Sequence, residues 1–173
     1  MHELILFLAS LCPAVQAERD AYTVCYDTQN QRPLWTIHTI QPSTALPRRK
    51  HWRKDHQLNS RSANAFTNSG FHRGHLVAAA DVPDSADAFL TSNAVPQNAA
   101  LNTGPWRKLE NLIRKHNHAT VITGAIYADC GSAKIDAPCH LFKIALLPNG
   151  EIIAAFHHNA PKSHVHAAGS GVR

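Results

Sequence analysis

The chain has 173 residues, of which 44% are hydrophobic and 17% are charged. These values are typical of one folded domain and argue against a disordered chain. The chain carries 17 Lys and Arg against 12 Asp and Glu, a formal net charge of +5. An excess of base favours a polyanionic partner, although charge alone does not identify one.

The first 17 residues have the pattern of a secretory signal. An apolar run over residues 4–11 is followed by small side chains at Val15 and Ala17, which predicts cleavage after Ala17. The run is shorter than the roughly 20 residues of a membrane span, and no later segment is apolar enough for one. We therefore expect a secreted or periplasmic protein with no membrane contact in its mature form. Because the start holds Glu3 and no Lys or Arg, a buried N-terminal strand or helix is the alternative.

Removal of the first 17 residues would leave three of the four cysteines, namely Cys25, Cys130 and Cys139. Export would permit a disulfide bond. Cys130 and Cys139 bracket a short loop and are the preferred pair, which would leave Cys25 as an unpaired thiol. None of the spacings fits a zinc site.

Two strands and a basic segment open the domain. Residues 22–26 are rich in β-branched and aromatic side chains, and residues 33–40 alternate apolar with polar, so the two runs predict a hairpin. Residues 48–56 are a basic run that contains Trp52. This run is either a solvated loop or a patch that faces phosphate groups.

The middle of the chain predicts loops and one amphipathic helix. Residues 57–70 are polar and loop-like, and residues 81–92 read as a turn followed by a short helix. In residues 102–115, Pro105 suits a first helical turn and an apolar stripe follows it at helical spacing.

The remaining elements are strands. Residues 120–127 form one, and residues 141–147 and 151–156 flank an Asn-Gly turn that favours a hairpin. The predicted class is α+β, with a largely antiparallel sheet and one central helix. We expect the domain to span residues 18–160 and the small, polar residues 161–173 to form a disordered tail.

One short segment carries candidate chemistry. The chain has thirteen histidines, so a single histidine is weak evidence of a site. Arg73 and His75, however, lie two apart, which places both on one face of an extended strand, and Gly74 between them allows close approach. Hydrolysis of a phosphodiester needs a base for water and a fixed cation for the phosphate.

A set of short motifs extends this segment in chain order. Residues 71–76 read Phe-His-Arg-Gly-His-Leu, and later come Ser92-Asn93, Pro96-Gln97, Leu101-Asn102, Trp106 and Leu109-Glu110. This ordered set resembles the DNA/RNA non-specific endonuclease family, over residues 26–159. The resemblance implies a ββα-metal active site and a hydrolase that cuts DNA and RNA, leaves 5′-phosphate ends and has little sequence preference.

The resemblance also implies a role for each matching residue. His75 would be the general base that activates water, and Asn102 would be the direct protein ligand of Mg²⁺ (or Mn²⁺). Such an ion keeps most of its waters, so one amide oxygen is a sufficient protein ligand. Glu110 would hold a metal-bound water, while Arg73 would stabilise the transition state.

Two further residues complete the expected site. Arg114 would bind the substrate and help to stabilise the transition state, and Asn93 would support the site by hydrogen bonding. The pair Glu110 and Arg114 has the i, i+4 spacing that allows contact on one helix face. An inhibitor protein is a candidate partner, because a nuclease endangers the cell that makes it.

The chain departs from the family pattern at His72, where the family usually has Asp, and at Ala78, where it usually has Pro. The family also continues beyond Asn159 with an acidic, apolar segment. These departures leave a second reading open, a catalytically weakened relative that binds nucleic acid without cutting it. A histidine-rich metal-binding protein is the third reading.

Overall fold

The computed structural model describes residues 12–41, 51–83, 85–128 and 135–159. The strands in these ranges are β1 (Val15–Glu18), β2 (Tyr22–Asp27), β3 (Arg32–Thr39), β4 (His72–His75), β5 (Ala94–Gln97), β6 (Thr120–Ile126), β7 (His140–Leu146) and β8 (Ile152–His158). The predicted tail and residues 48–50 of the basic run lie outside the described residues.

The strands form two antiparallel sheets. The larger has the order β1-β2-β3-β6-β7-β8, and β4 pairs with β5 in a separate two-stranded hairpin. Tyr22 faces His38 across the β2–β3 pair, and Leu146 faces Ile152 across the β7–β8 pair. The predicted class, α+β with a largely antiparallel sheet, is confirmed.

The central helix begins and ends earlier than the sequence predicts, and it is less regular. It begins as α1 (Ala99–Leu101), continues as a π-helical segment (Asn102–Trp106), and ends as α2 (Arg107–Ile113). The backbone leaves helical geometry at Gly104, with φ −108° and ψ −106°. Irregular π-helical turns of this kind often occur at functional sites. Along the described residues, no helix is long and apolar enough to cross a bilayer.

The other helical turns are short 3-10 segments. They are Ala63–Phe66, Ala86–Phe89 and Thr91–Asn93. The last two replace the single short helix predicted within residues 81–92. Ser85 caps the first of these two, since its side chain accepts a hydrogen bond from the Asp87 N–H.

One core cluster lies where the hairpin, the helix and the large sheet meet. Its buried members are Leu76, Val95, Leu101, Trp106, Ala125 and Leu141. β4 and β5 are short strands, and a two-stranded hairpin is unstable by itself in water. The cluster therefore holds the hairpin that carries Arg73 and His75 on the sheet.

The outer face of the large sheet remains apolar and exposed near β8. The exposed fraction is 38% for Ile144, 66% for Ile152 and 59% for Phe156. Among the described residues β8 pairs only with β7, so it is the last strand at this end of the sheet.

The prediction that Cys25 is an unpaired thiol is wrong, because Cys25 forms a disulfide with Cys12. The error arose because Cys12 was assigned to a removed leader. Cleavage after Ala17 stays a prediction, and it would remove Cys12 and three of the four residues of β1. Cys139 is also disulfide-bonded, while Cys130, its expected partner, lies outside the described residues.

Candidate active site

His75 ends strand β4 and is enclosed by two aromatic rings. Its ring centroid lies 4.4 Å from that of Trp52 and 5.2 Å from that of Phe89. Nε2 is buried and has no hydrogen-bond partner in the described part of the chain. Burial and the charge of Lys143 lower the pKa of His75 to about 4, although Asp81 acts in the opposite direction. The imidazole is therefore neutral near pH 7 and can accept a proton.

Arg73 lies two residues before His75 on the same strand and is exposed. Its guanidinium has no hydrogen bond or ion pair to any residue that the structure describes. An unpaired guanidinium beside a neutral base can bind a phosphate oxygen in a bidentate manner.

Gly74 allows β4 and β5 to approach closely. A Cβ atom at Gly74 would lie 2.1 Å from Oε1 and 2.6 Å from Cβ of Gln97. The Gln97 side chain is fully buried, and neither of its amide atoms has a hydrogen-bond partner among the described residues. Sequence reasoning used Gln97 only as part of a motif and gave it no role.

Asn102, the expected metal ligand, contacts His72. The distance between Asn102 Nδ2 and His72 Nδ1 is 3.3 Å, so the amide can donate to a neutral imidazole. In that arrangement Oδ1 remains available, since no described residue hydrogen-bonds to it. Within the described ranges, Asn102 makes no hydrogen bond to His75, Arg73 or Glu110.

This environment fits a hard cation that needs few protein ligands. Over the described residues there is no group of three or more His, Cys, Asp or Glu that could hold a metal ion. A single free amide oxygen, with a half-buried carboxylate on the same helix, suits Mg²⁺ or Mn²⁺, which retain bound waters. A zinc site would need three or four nitrogen, sulfur or carboxylate ligands.

Asn93 is buried and holds the segment that follows His75. Its Oδ1 accepts a hydrogen bond from Val77 N at 2.9 Å. Its Nδ2 donates to Val77 O at 3.0 Å and to Ala88 O at 2.9 Å. All three bonds are made to the backbone, so Asn93 fixes the chain beside the base.

Arg114 binds Asp81 rather than Glu110. Its Nε donates to Asp81 Oδ1 at 2.7 Å, and its Nη1 donates to Asn111 Oδ1 at 2.8 Å. Buried His38 also contacts Asp81, with Nε2 at 3.2 Å from Oδ2. Burial alone would raise the pKa of Asp81, but the His38 hydrogen bond and the nearby positive charges lower it overall.

Glu110 is half-buried and forms no salt bridge with the residues described. Burial raises its pKa, against the opposing charges of Lys143 and Arg114. The helix spacing that allows a Glu110–Arg114 contact is therefore not used, because the nearby carboxylate of Asp81 engages Arg114 instead.

Lys143 is a buried cation beneath this site that sequence reasoning missed. It is 1% exposed, on the inner side of β7 together with Leu141 and Ala145. The signal was present, since the alternation in residues 140–146 places Lys143 among the core positions. A buried lysine is rare unless it has partners, and such a residue in an apolar strand pattern marks a position of interest.

The chain belongs to the DNA/RNA non-specific endonuclease family, whose sequence model matches residues 9–169. This match agrees with the site around β4, where the imidazole of His75 is neutral, Arg73 has no partner among the described residues, and the central helix carries Asn102 and Glu110.

Individual relatives agree with this assignment. Mitochondrial endonuclease G of Homo sapiens is 30% identical over 158 residues, which cover 75% of this chain and 53% of that protein. The mitochondrial nuclease of Saccharomyces cerevisiae is 29% identical over 126 residues, 63% of this chain and 38% of that protein. The chain thus spans about half the length of the endonuclease G relatives.

A solved structure shares the fold. A chain in a crystal structure of the EndoG/EndoGI complex, solved to explain the inhibition of EndoG, superposes on this chain with a TM-score of 0.68 at 20% identity. The match covers 85% of this chain and 75% of the other.

The prediction of a secreted or periplasmic location is wrong, because these relatives are mitochondrial nucleases. It rested on the apolar run and small residues of the first 17 positions. The described part of that segment, residues 12–17, lies in the disulfide and strand β1.

Proposed function

We propose that this chain is a metal-dependent endonuclease that hydrolyses phosphodiester bonds of DNA and RNA with little sequence preference. The observation that carries the proposal is the neutral imidazole of His75, whose Nε2 is unpaired in the described structure and whose strand also bears a free Arg73. Family membership supports the reaction class.

In this mechanism His75 accepts a proton from water as the water oxygen attacks phosphorus. The bond from phosphorus to the 3′ oxygen breaks and this oxygen takes a proton from solvent water, which leaves a 5′-phosphate end and a 3′-hydroxyl end. Arg73 binds the phosphate and stabilises the charge that grows on its oxygens. Asn93 contributes by holding the backbone after His75 in place.

Asn102 would hold the Mg²⁺ or Mn²⁺ ion through Oδ1, with His72 fixing the amide through Nδ2. When bound, the ion supplies positive charge to the phosphate and the leaving 3′ oxygen. Glu110 would accept hydrogen bonds from water beside the cation. Arg114, anchored by Asp81 and 28% exposed in its side chain, would bind a neighbouring phosphate.

Contacts of this kind go to the phosphate backbone, so binding should depend strongly on salt and weakly on sequence. An inhibitor protein is a proposed partner. Support comes from the structural neighbour, which is an endonuclease in complex with its inhibitor.

The deciding experiment is degradation of plasmid DNA and of RNA with Mg²⁺ and with EDTA. We expect wild-type protein to cut both only with the metal, and His75→Ala to lose roughly 10²–10⁴-fold in rate, the usual contribution of a general base. His158→Ala, which changes an exposed histidine at the end of β8, is the matched control and should keep full activity. Full activity in His75→Ala would refute the mechanism, and salt-sensitive binding without cleavage by the wild type would favour the non-catalytic reading.

A further inference from the structure

We infer that Lys143 is a positioning residue of this site, because its buried ammonium clamps the main-chain carbonyl of Leu76, the residue after His75, to the central sheet. The catalytic consequence of this inference rests on the proposed nuclease function. The structural clamp itself does not.

The clamp joins two parts of the fold that are far apart in sequence. Lys143 Nζ donates to Thr123 Oγ1 on the neighbouring strand β6 at 2.7 Å and to Leu76 O at 3.1 Å. The same ammonium lies 5.1 Å from the centre of the Trp106 ring, in the irregular part of the helix. One side chain thus contacts the large sheet, the residue that follows β4, and the helix.

The residue after His75 is held on both of its peptide groups. Leu76 N donates to Asn93 O at 3.0 Å, while Leu76 O accepts from Lys143. Asn93 in turn binds Val77 through its side chain. The backbone that follows His75 is therefore held by hydrogen bonds from two directions. A displacement of about 1 Å at such a position can lower the rate about 10²-fold.

The charge of Lys143 also has an electrostatic effect, which is separate from its hydrogen bonds. Lys143 forms no salt bridge with the described residues, so no carboxylate neutralises it at contact distance. The charged groups that face it are Glu110 and Arg114 at the helix and Asp81 after the hairpin. Burial lowers the pKa of Lys143, while Glu110 and Asp81 act to raise it.

Through the same field Lys143 lowers the pKa of His75. A neutral amine at position 143 would still donate two hydrogen bonds, so the clamp would survive loss of the proton. The effect on the pKa of His75 would be lost, because it depends on the charge of Lys143.

The test compares Lys143→Met with Lys108→Met, an exposed lysine of α2. Lys143→Met keeps the chain length but removes the donors and the charge. We expect kcat for plasmid cleavage to fall roughly 10- to 100-fold with KM nearly unchanged, and the His75 imidazole to titrate at a higher pH by NMR. Lys108→Met should change neither quantity, and Lys143→Arg should restore part of kcat.

A role in stability alone would predict a lower unfolding midpoint for Lys143→Met, with wild-type kcat and wild-type His75 titration below that midpoint. That result would overturn the inference. If Lys143→Met does not fold, Thr123→Val serves instead, since it removes one of the two anchors of Nζ and leaves the charge. It should lower kcat by a smaller factor, and unchanged kcat in that variant would also count against the clamp.

Failure of the proposed function has a separate signature. If the wild-type protein does not cut nucleic acid, the nuclease proposal fails, and Lys143 is judged on the His75 resonances alone. Unchanged shifts and titration of His75 in Lys143→Met would then refute the clamp.

Discussion

His75 owes its chemistry to its neighbours more than to its own side chain. An imidazole in water titrates near pH 6.5 and is partly protonated at neutral pH. Trp52 and Phe89 pack against the ring and reduce its hydration, and the charge of Lys143 disfavours a second positive charge nearby. These three residues come from three different segments of the chain. One histidine among thirteen thus acquires, through its packing, the neutral imidazole that the proposed mechanism requires.

At this scale we predict that the His75 imidazole titrates near pH 4 in the folded protein, as measured by histidine NMR with His75→Gln to assign the signal. Because burial disfavours the charged form, Trp52→Ala should move the titration upward toward 6.5. Titration of the wild-type signal near 6.5 would contradict the packing described here.

The lowered pKa of His75 also links to stability. The unfolded chain binds a proton near pH 6.5 that the folded chain does not bind until about pH 4, so this residue destabilises the fold as pH falls through that window. The buried His38, whose pKa is lowered by burial, acts in the same direction. Glu110 has a raised pKa and acts in the opposite direction. As pH falls toward the usual pKa of a glutamate, the folded state binds this proton before the unfolded state does, which stabilises the fold.

Among the elements, the long strands were predictable and the hairpin was not. The alternation in β3 and the Asn-Gly turn between β7 and β8 are local signals, and the structure places those strands within one or two residues of the prediction. β4 and β5 are only four residues each, and they contain Gly74 and Pro96, which weaken any strand pattern.

The same distinction applies to the candidate site, where some residues could be predicted from sequence motifs and others are revealed only by tertiary packing. Arg73, His75, Asn102 and Glu110 could be named because they belong to ordered motifs. The buried position of Lys143 follows from the alternation in β7, but its link to the site does not, because its contact with Leu76 joins residues 67 positions apart. Such contacts become visible only when the sheet and the hairpin are assembled.

For the hairpin we predict that Gly74→Ala destabilises the protein by roughly 2–4 kcal/mol and lowers activity, since the new methyl would overlap Gln97 and force β4 from β5. Urea unfolding measures the change. Gly124→Ala is the comparison, because the nearest atoms to its methyl would belong to the ring of Phe142, a half-buried side chain that can turn aside. Equal losses in the two variants would show that the close β4–β5 approach has no special importance.

For the whole molecule, the first described residues are part of the folded unit. The disulfide joins Cys12 to Cys25 across 13 positions, and β1 adds a strand to the edge of the large sheet. A disulfide that closes a loop of this size stabilises a protein by about 3 kcal/mol in the loop-entropy account.

We therefore predict that Cys12→Ser lowers the free energy of unfolding by about 2–3 kcal/mol. Urea titration of the oxidised protein checks this. Addition of a reductant to the wild type should give a loss at least as large, because it opens every reducible disulfide, and Cys12→Ser should lose less than the wild type on reduction. A variant as stable as the oxidised wild type would show that the N-terminal link does not contribute.

The apolar end of the sheet at β8 bears on how the protein behaves in concentrated solution. Within the described ranges, β8 is an edge strand whose outer backbone groups are unpaired beside the exposed apolar side chains of Ile152 and Phe156, a combination that promotes edge-to-edge association. Ile152→Lys should therefore raise the concentration at which light scattering first appears and leave the unfolding midpoint almost unchanged, because the side chain is 66% exposed. If scattering began at the same concentration in both proteins, self-association would have to start elsewhere on the surface.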